Sequence, residues 1–360
     1  MTERSPARGG ASPSAAIREI TAILVSWNDT KDLAGAIDSL LAARRRVPEG
    51  GPRVSLVVVD NSNAAREVVH ARWPGAAVLV NAENRGFGPA VNQGAELAAG
   101  DVLLLMNPDS RAVDDPFTPI ARAFASDPRI VAVAPRLLDP QEPLGPGDAS
   151  RALMPPDRED QFTFQLRRLP TLGADLRELL LIDHAFPDSA SRRHARYADE
   201  DRARPLDVEQ PAAAALAVRR AVFQKLAGFD ARFVPAWFED VDLAERLHRE
   251  GRIVYWPDAI FRHRGGSAAQ GLGYARFLPI YYRNALLYRR SRYGLAARIV
   301  YRLALLAGMT LRLALTPFRR DSPRPRAVSA RAYLRVMSLA LGLGPGSSIP
   351  DSRFPIPDGQ

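Results

Sequence analysis

Apolar residues come along this chain in short runs, separated by stretches with helical spacing. Thr21–Val25 (TAILV), Val54–Val59 (VSLVVV) and Val102–Met106 (VLLLM) are near-continuous, the pattern of strands buried on both faces. Ala76–Val80 and Ile130–Ala134 are shorter runs of the same kind. Leu33, Ile37, Leu40 and Leu41 recur at helical spacing and predict an amphipathic helix over Asp32–Leu41. Gly88–Ala99 and Phe117–Ala125 also read as helices. Strands alternating with helices from Ile17 to Val133 predict an α/β sheet with crossover helices.

The pattern breaks over Pro140–Pro205. This region is rich in proline, carries the charged run Arg192–Arg204, and holds one helix-like stretch, Leu166–Ile182. It reads as a variable insertion or lid. Regular patterning returns at Ala212–Val218, and Val222–Leu226 leads into a Gly-Phe-Asp turn. Val241–Glu250 reads as a helix closed by Gly251 in the role of a C-terminal glycine, and Ile253–Trp256 reads as a strand. From Tyr281 onward the chain is helical and Arg-rich. Residues 1–16 are Ser/Pro/Ala/Gly/Arg-rich, the composition of a disordered tail. The expected organisation is an α/β domain over 17–282 with 140–206 inserted, a basic helical region over 283–342, and a tail over 343–360.

The chain has 360 residues and no cysteine. That excludes disulfides, thiolate zinc sites, Fe–S clusters and cysteine nucleophiles. A metal would sit on carboxylates, His or carbonyls, which favours Mg or Mn over Zn. The formal charge is +9, and Lys31 and Lys225 are the only lysines. Such a charge suits a phosphate-bearing partner. Met1–Ala16 lacks the apolar stretch of a signal peptide. No run reaches 18 consecutive apolar residues, which argues against a spanning helix.

In open α/β sheets, ligands bind at the carboxyl ends of strands. Four polar clusters lie there: Ser26-Trp27-Asn28-Asp29, Asp60-Asn61-Ser62, Asn84-Arg85-Gly86-Phe87-Gly88 with Asn92, and Asn107-Pro108-Asp109. Any one of them reads as an ordinary turn or cap. Four in succession favour a shared site. The glycines near 86 do not make a dinucleotide loop, because position 91 is Val91, and no Gly-Lys-Ser/Thr phosphate loop occurs. A second cluster is Trp237-Phe238-Glu239-Asp240-Val241-Asp242. Helix capping accounts for one or two of its acids. The two preceding aromatics point further, because partial desolvation raises a carboxylate towards the range of a useful general base. Downstream, Arg262-His263-Arg264-Gly265-Gly266-Ser267 offers an imidazole and backbone N–H groups for a phosphate.

With these residues in view, the chain resembles family 2 glycosyltransferases of the GT-A fold, particularly the rhamnosyltransferase-like branch. The resemblance rests on AILVSWN (22–28), VVVDNS (57–62), NRGFGPAVNQG (84–94), LLLMNPD (103–109), AGFDARF (227–233), FEDVDLAERL (238–247) and HRGGS (263–267). It implies a Rossmann-like mixed sheet flanked by helices, with a C-terminal helical extension. It implies an inverting hexosyl transfer from a nucleotide-diphosphate sugar, with dTDP-rhamnose the candidate donor, to a hydroxyl of a glycan or polyprenyl-linked acceptor. Donor contacts would come from Ser26, Asn28, Asp60, Asn61, Asn84, Arg85, Gly86, Phe87, Gly88, Asn92, Asn107 and Asp109. Asp109 would hold a Mg or Mn cation, with His263 as a second candidate ligand. Asp240 would be the general base beside Glu239, while Trp237, Asp242 and His263 would contact the acceptor or orient the site.

Two other readings compete. A sugar-phosphate nucleotidyltransferase usually carries a Gly-rich basic loop after its first strand, where this chain has Ser26-Trp27-Asn28. An inactive, membrane-bound assembly partner should have lost the base or the metal carboxylate, yet Asp240 and Asp109 are present.

Residues 283–335 hold 13 arginines and one acid, Asp321, for 13 − 1 = +12. The remaining residues therefore sum to 9 − 12 = −3. On a helix over Leu295–Leu313, Arg298, Arg302 and Arg312 fall in an arc of about 80° amid apolar residues. This predicts an interfacial helix on the inner face of the cell membrane, its arginines reaching headgroups. The other reading is a helix packed on the catalytic domain or on a second copy in a homodimer. Nothing in the sequence calls for nucleic acid.

Overall fold

The computed structural model describes residues 16–140, 161–265, 272–318 and 325–343. All but residue 16 of the expected 1–16 tail, residues 141–160 of the expected insertion, most of the 343–360 tail, and Gly266 and Ser267 lie outside the described residues. Eleven strands are present among them. They are β1 (Glu19–Ser26), β2 (Arg53–Asp60), β3 (Ala77–Val80), β4 (Val102–Met106), β5 (Ser110–Ala112), β6 (Ile130–Leu138), β7 (Leu166–Arg167), β8 (Leu206–Asp207), β9 (Gln210–Pro211), β10 (Ala215–Arg219) and β11 (Arg252–His263). The main sheet runs β3-β2-β1-β4-β10-β6-β11-β5, with β8 paired to β11 and a separate β7–β9 pair.

Strands β3, β2, β1 and β4 are mutually parallel, joined by crossover helices as the buried apolar runs require. These helices are α1 (Thr30–Arg44), α2 (Arg66–Arg72) and α3 (Phe87–Leu97). Strand β10 runs antiparallel to both β4 and β6. The sheet is therefore mixed, with helices on both faces. The register sets Ser26 beside Asp60 and Asp60 beside Val80, so the parallel strands end in one row. Because β10 is reversed, its first residue, Ala215, pairs with Met106 at the end of β4. The segment leading into β10 thus enters at that same edge.

The remaining helices are α4 (Phe117–Ser126), α5 (Gln161–Gln165), α6 (Leu172–Leu179), α7 (Ile182–Ala185), α8 (Ala190–Ala195), α9 (Arg220–Lys225), α10 (Glu239–Leu247), α11 (Tyr274–Arg292), α12 (Leu295–Leu315) and α13 (Arg326–Leu341). Two apolar cores sandwich the sheet. A third, built from residues such as Phe238, Leu278, Tyr282, Tyr301, Leu305 and Tyr333, joins α10 to the C-terminal helices.

Four sequence expectations need correction. The Leu166–Ile182 stretch is not one helix: Leu166–Arg167 pair with Gln210–Pro211, and helix resumes at Leu172 beyond Pro170. Gly251 is needed for close approach, since a Cβ there would meet the Arg129 carbonyl oxygen at 2.2 Å. The Ile253–Trp256 strand is the first part of β11, which continues past Pro257 through a register shift between Trp256 and Ile260. Finally, one helix among the described residues, Leu295–Phe318, is long and apolar enough to cross a membrane, although no eighteen-residue run is uninterrupted.

Candidate active site

The site lies along the row of strand ends. Ser26 closes β1 and is buried, and its Oγ has no hydrogen-bond partner among the described residues. Asn28 follows at φ +56°, exposed, in the left-handed region that Asn tolerates better than most residues. Asp60 is wholly buried at the end of β2. Its Oδ1 accepts from the backbone N and the Oγ of Ser62, at 2.9 and 2.8 Å, and its Oδ2 accepts from Ala65 N at 2.7 Å. The Asp60 carboxylate therefore shapes the 61–65 loop.

An amide network fixes the next loop. Asn61 Nδ2 donates to Asn84 Oδ1 at 3.1 Å, and Asn81 Nδ2 donates to Asn61 Oδ1 at 2.8 Å. Asn81 and Gln93 exchange a further pair of bonds at 2.9 and 3.0 Å. Asn84 Oδ1 also accepts from Gly86 N at 2.8 Å. Gly86 sits at φ +86°, and a Cβ there would meet the Pro235 carbonyl oxygen at 2.8 Å. The Phe87 backbone N donates to that same oxygen at 2.7 Å. This couples the 84–88 segment to the loop that precedes α10. Gly88 packs under Phe229 and Glu239, while Arg85 is exposed. Asn92, expected on the donor, instead clasps the Gly-Phe-Asp turn: it donates to Phe229 O and accepts from Phe229 N, each at 2.8 Å.

Asn107-Pro108-Asp109 leaves β4 with Asn107 half-buried and Asp109 buried. Antiparallel pairing of β5 with the end of β11 places His263 opposite Ser110. His263 Nε2 consequently lies 3.3 Å from Asp109 Oδ1, with both side chains buried and Phe164 stacked on the imidazole. The long β11 brings together two residues 154 positions apart (263 − 109).

The acidic cluster opens α10. Trp237 and Phe238 both adopt left-handed backbone, at φ +74° and +73°. Each costs roughly 1–2 kcal/mol, so the surroundings must hold them. Asn284 of α11 does so in part. It is fully buried and its Nδ2 donates to the carbonyls of Ala236 and Trp237, at 2.9 and 3.0 Å. The Trp237 ring packs edge-on against Phe277. Glu239 is buried, and its Oε2 has no hydrogen-bond partner among the described residues. Burial pushes its carboxyl well above the usual range, and the neighbouring Asp240 charge pushes it further. Burial raises Asp240 too, offset by the Val241 N–H at 2.8 Å and by the charge of Arg167. Gln210 Nε2 reaches Asp240 Oδ2 at 3.4 Å. Of this pair Glu239 is held the higher, because the Asp240 charge adds to its burial. Asp242 is committed elsewhere: it pairs with Arg246 at 2.7 Å and Arg292 at 3.0 Å, orienting α10 against α11.

One short segment ties the two clusters together. Gln210 touches Asp240, while Ala214 O accepts from Asn107 N at 3.0 Å and Ser110 Oγ at 2.9 Å. Four residues of chain span at most about 14 Å. One short segment therefore contacts both Asp240 and the turn that carries Asp109. Gln210, Arg167, Asn81, Gln93, Phe164 and Asn284 were not singled out by sequence reasoning. Gln210, directly before an apolar strand, carried the clearest signal.

Residues 21–194, just under half of the chain, match the profile of Glycosyl transferase family 2. The protein is a glycosyltransferase. Its fold is GT-A. It is similar to the mannosyltransferase PcManGT from Pyrobaculum calidifontis, solved in complex with GDP-Man and Mn2+, at 15% identity and a TM-score of 0.52. That match covers 93% of this glycosyltransferase and 89% of the other chain. A second similar structure is GalNAc-T7 with UDP, GalNAc and Mn2+, at 16% identity and a TM-score of 0.48. There the match covers 75% of this chain and 48% of that one. No curated protein matches the glycosyltransferase.

Proposed function

We propose that this glycosyltransferase moves a sugar, with inversion, from a nucleotide-diphosphate donor to a hydroxyl of a glycan or lipid-linked glycan. The observation that carries the reading is the head of α10, where Asp240 stands beside the buried Glu239 behind two left-handed aromatics, and burial raises both carboxyls. Asp240 takes the acceptor hydroxyl's proton as that oxygen bonds to the anomeric carbon. The bond from that carbon to the diphosphate oxygen breaks, and the nucleoside diphosphate leaves with the electron pair from the opposite face.

The buried Asp109–His263 pair fits a divalent cation, one oxygen and one imidazole nitrogen side by side. No group of three or more acidic or His residues gathers among the described residues, so donor oxygens and water would fill the rest of the shell. The nitrogen ligand favours Mn over Mg, and the similar mannosyltransferase was solved with Mn2+. Such a cation neutralises charge on the leaving diphosphate. The candidate donor is dTDP-rhamnose, by the motif resemblance.

A thermal-shift panel of nucleotide sugars, with and without Mg or Mn, identifies the donor. With it, Asp240→Asn should lower kcat roughly 10²–10⁴-fold while leaving nucleotide binding intact. Full turnover in that variant would refute the base assignment.

A further inference from the structure

The basic helix α12 is turned the opposite way from its sequence expectation. Arg302 donates to Ala340 O at 2.7 Å, and Arg312 donates to the carbonyls of Leu179 and Glu178 at 2.5 and 3.1 Å. Arg298 is half-buried on the same side. Arg302 and Arg312 are fastened to the protein and do not reach headgroups. Tyr301, Leu305 and Met309 are buried with them, and Gly308 lies so close to Leu179 O that a Cβ would meet it at 2.3 Å.

The outward face is the apolar one. Leu295, Ile299, Leu303 and Phe318 are 68, 49, 60 and 79% exposed, and Val300, Leu311 and Leu315 join them. The exposed positions from 295 to 315 cover an arc of about 200° at 100° per residue. None of them is charged. The exposed Thr310 satisfies its own hydroxyl on Leu306 O at 2.9 Å. A face this long and this apolar marks an interaction surface.

We infer that this face of α12 seats in the surface of an anionic bilayer, with the helix lying in the membrane plane. It does not cross the bilayer, because its other side is packed and hydrogen-bonded to α6 and α13. The exposed arginines of 283–335 favour this occupant over a second copy, although Arg289 and Arg292 are neutralised by carboxylates. Pairing two such segments brings like charges together, whereas anionic headgroups meet exposed arginines such as Arg290, Arg326 and Arg331. Resting on the transferase reading, the acceptor class follows: a lipid-anchored glycan delivered at the bilayer surface.

The test uses the full chain with phosphatidylglycerol–phosphatidylcholine vesicles. The wild type should cosediment, and the double variant Ile299→Asp, Leu303→Asp should lose affinity roughly tenfold or more. The apolar double variant Ile299→Leu, Leu303→Met should keep it. Both variants should retain the wild-type circular dichroism and nucleotide affinity. Absence of wild-type cosedimentation, or unchanged cosedimentation of the Asp variant, overturns the inference. So does a wild-type dimer in sedimentation velocity that the Asp variant dissolves without any vesicle binding. Vesicle binding by a protein that turns over no nucleotide sugar would leave the surface standing and remove the transferase reading.

Discussion

Two adjacent carboxyls at the head of α10 have been given different tasks by their surroundings. Both are raised by burial, so the folded chain binds their protons more tightly than the unfolded chain does. Stability from this pair is accordingly greatest at low pH. It falls as pH climbs through the unfolded carboxylate range, near 4, towards the folded values. Glu239→Gln removes the cost of the buried acid. Melting curves at pH 8 should show the variant more stable than wild type, by about 2 °C or more, with the gap closing by pH 4. For catalysis, the acid limb of kcat/KM should lie above the ordinary Asp range and vanish in Asp240→Asn. Asp60 makes a contrasting prediction. Its three loop bonds mean that Asp60→Ala should cost about 1–3 kcal/mol in denaturant unfolding as well as donor affinity. A loss confined to affinity would show that the carboxylate serves the ligand alone.

Elements carry the site, and the sequence showed them unevenly. The parallel strands were legible because burial on both faces leaves unbroken apolar runs such as VLLLM. Their polar ends were legible because a loop at a strand end has few other reasons to gather Asn, Asp and Gly. Asn92 and Asp242 show the limit. Their residue types suit a ligand equally well, and only the fold reveals that Asn92 clasps Phe229 and that, of the two tasks expected of Asp242, its pairs with Arg246 and Arg292 serve the orienting one. Strand β11 was half hidden, since Pro257 ends a strand pattern that in fact continues through a bulge to His263. Asn284 was invisible: a single polar residue within a helix gives no hint of the two carbonyls it meets. Asn284→Ala strands those carbonyls and frees two left-handed aromatics. It should lower kcat tenfold or more with KM for donor little changed, and Asn284→Gln should not rescue it because the longer arm misplaces the amide. Stopped-flow donor binding alongside steady-state rates separates the two effects.

At the scale of the molecule, the charge is sorted and so is the apolar surface. Outside 283–335 the chain sums to −3, as suits carboxylate chemistry, while the excess positive charge lies in 283–335. Those helices are not an appendage, because the third core is shared between α10, α11, α12 and α13. Truncation before Leu295 would expose Leu278, Tyr282 and Tyr288 and strip Tyr301 from Arg289, which pairs in burial with Asp175. Such a chain should lose cooperative unfolding or precipitate, as read by calorimetry and by solubility. A truncated protein that melts sharply would show that the sheet stands alone.

The double hold of Asn284 on the Trp237 loop also decides where this enzyme can be cut and recombined. A chimera that keeps this sheet and takes a foreign tail from residue 283 would inherit a base-bearing loop with nothing behind it. The transplantable unit runs on through Arg292, whose ion pairs with Asp242 and Glu245 lock the same helix, and ends at Gly294, the N-cap of α12. A tail grafted after that glycine must also cover Leu278, Tyr282 and Arg289, as the native helices do, before it can change which surface the enzyme visits.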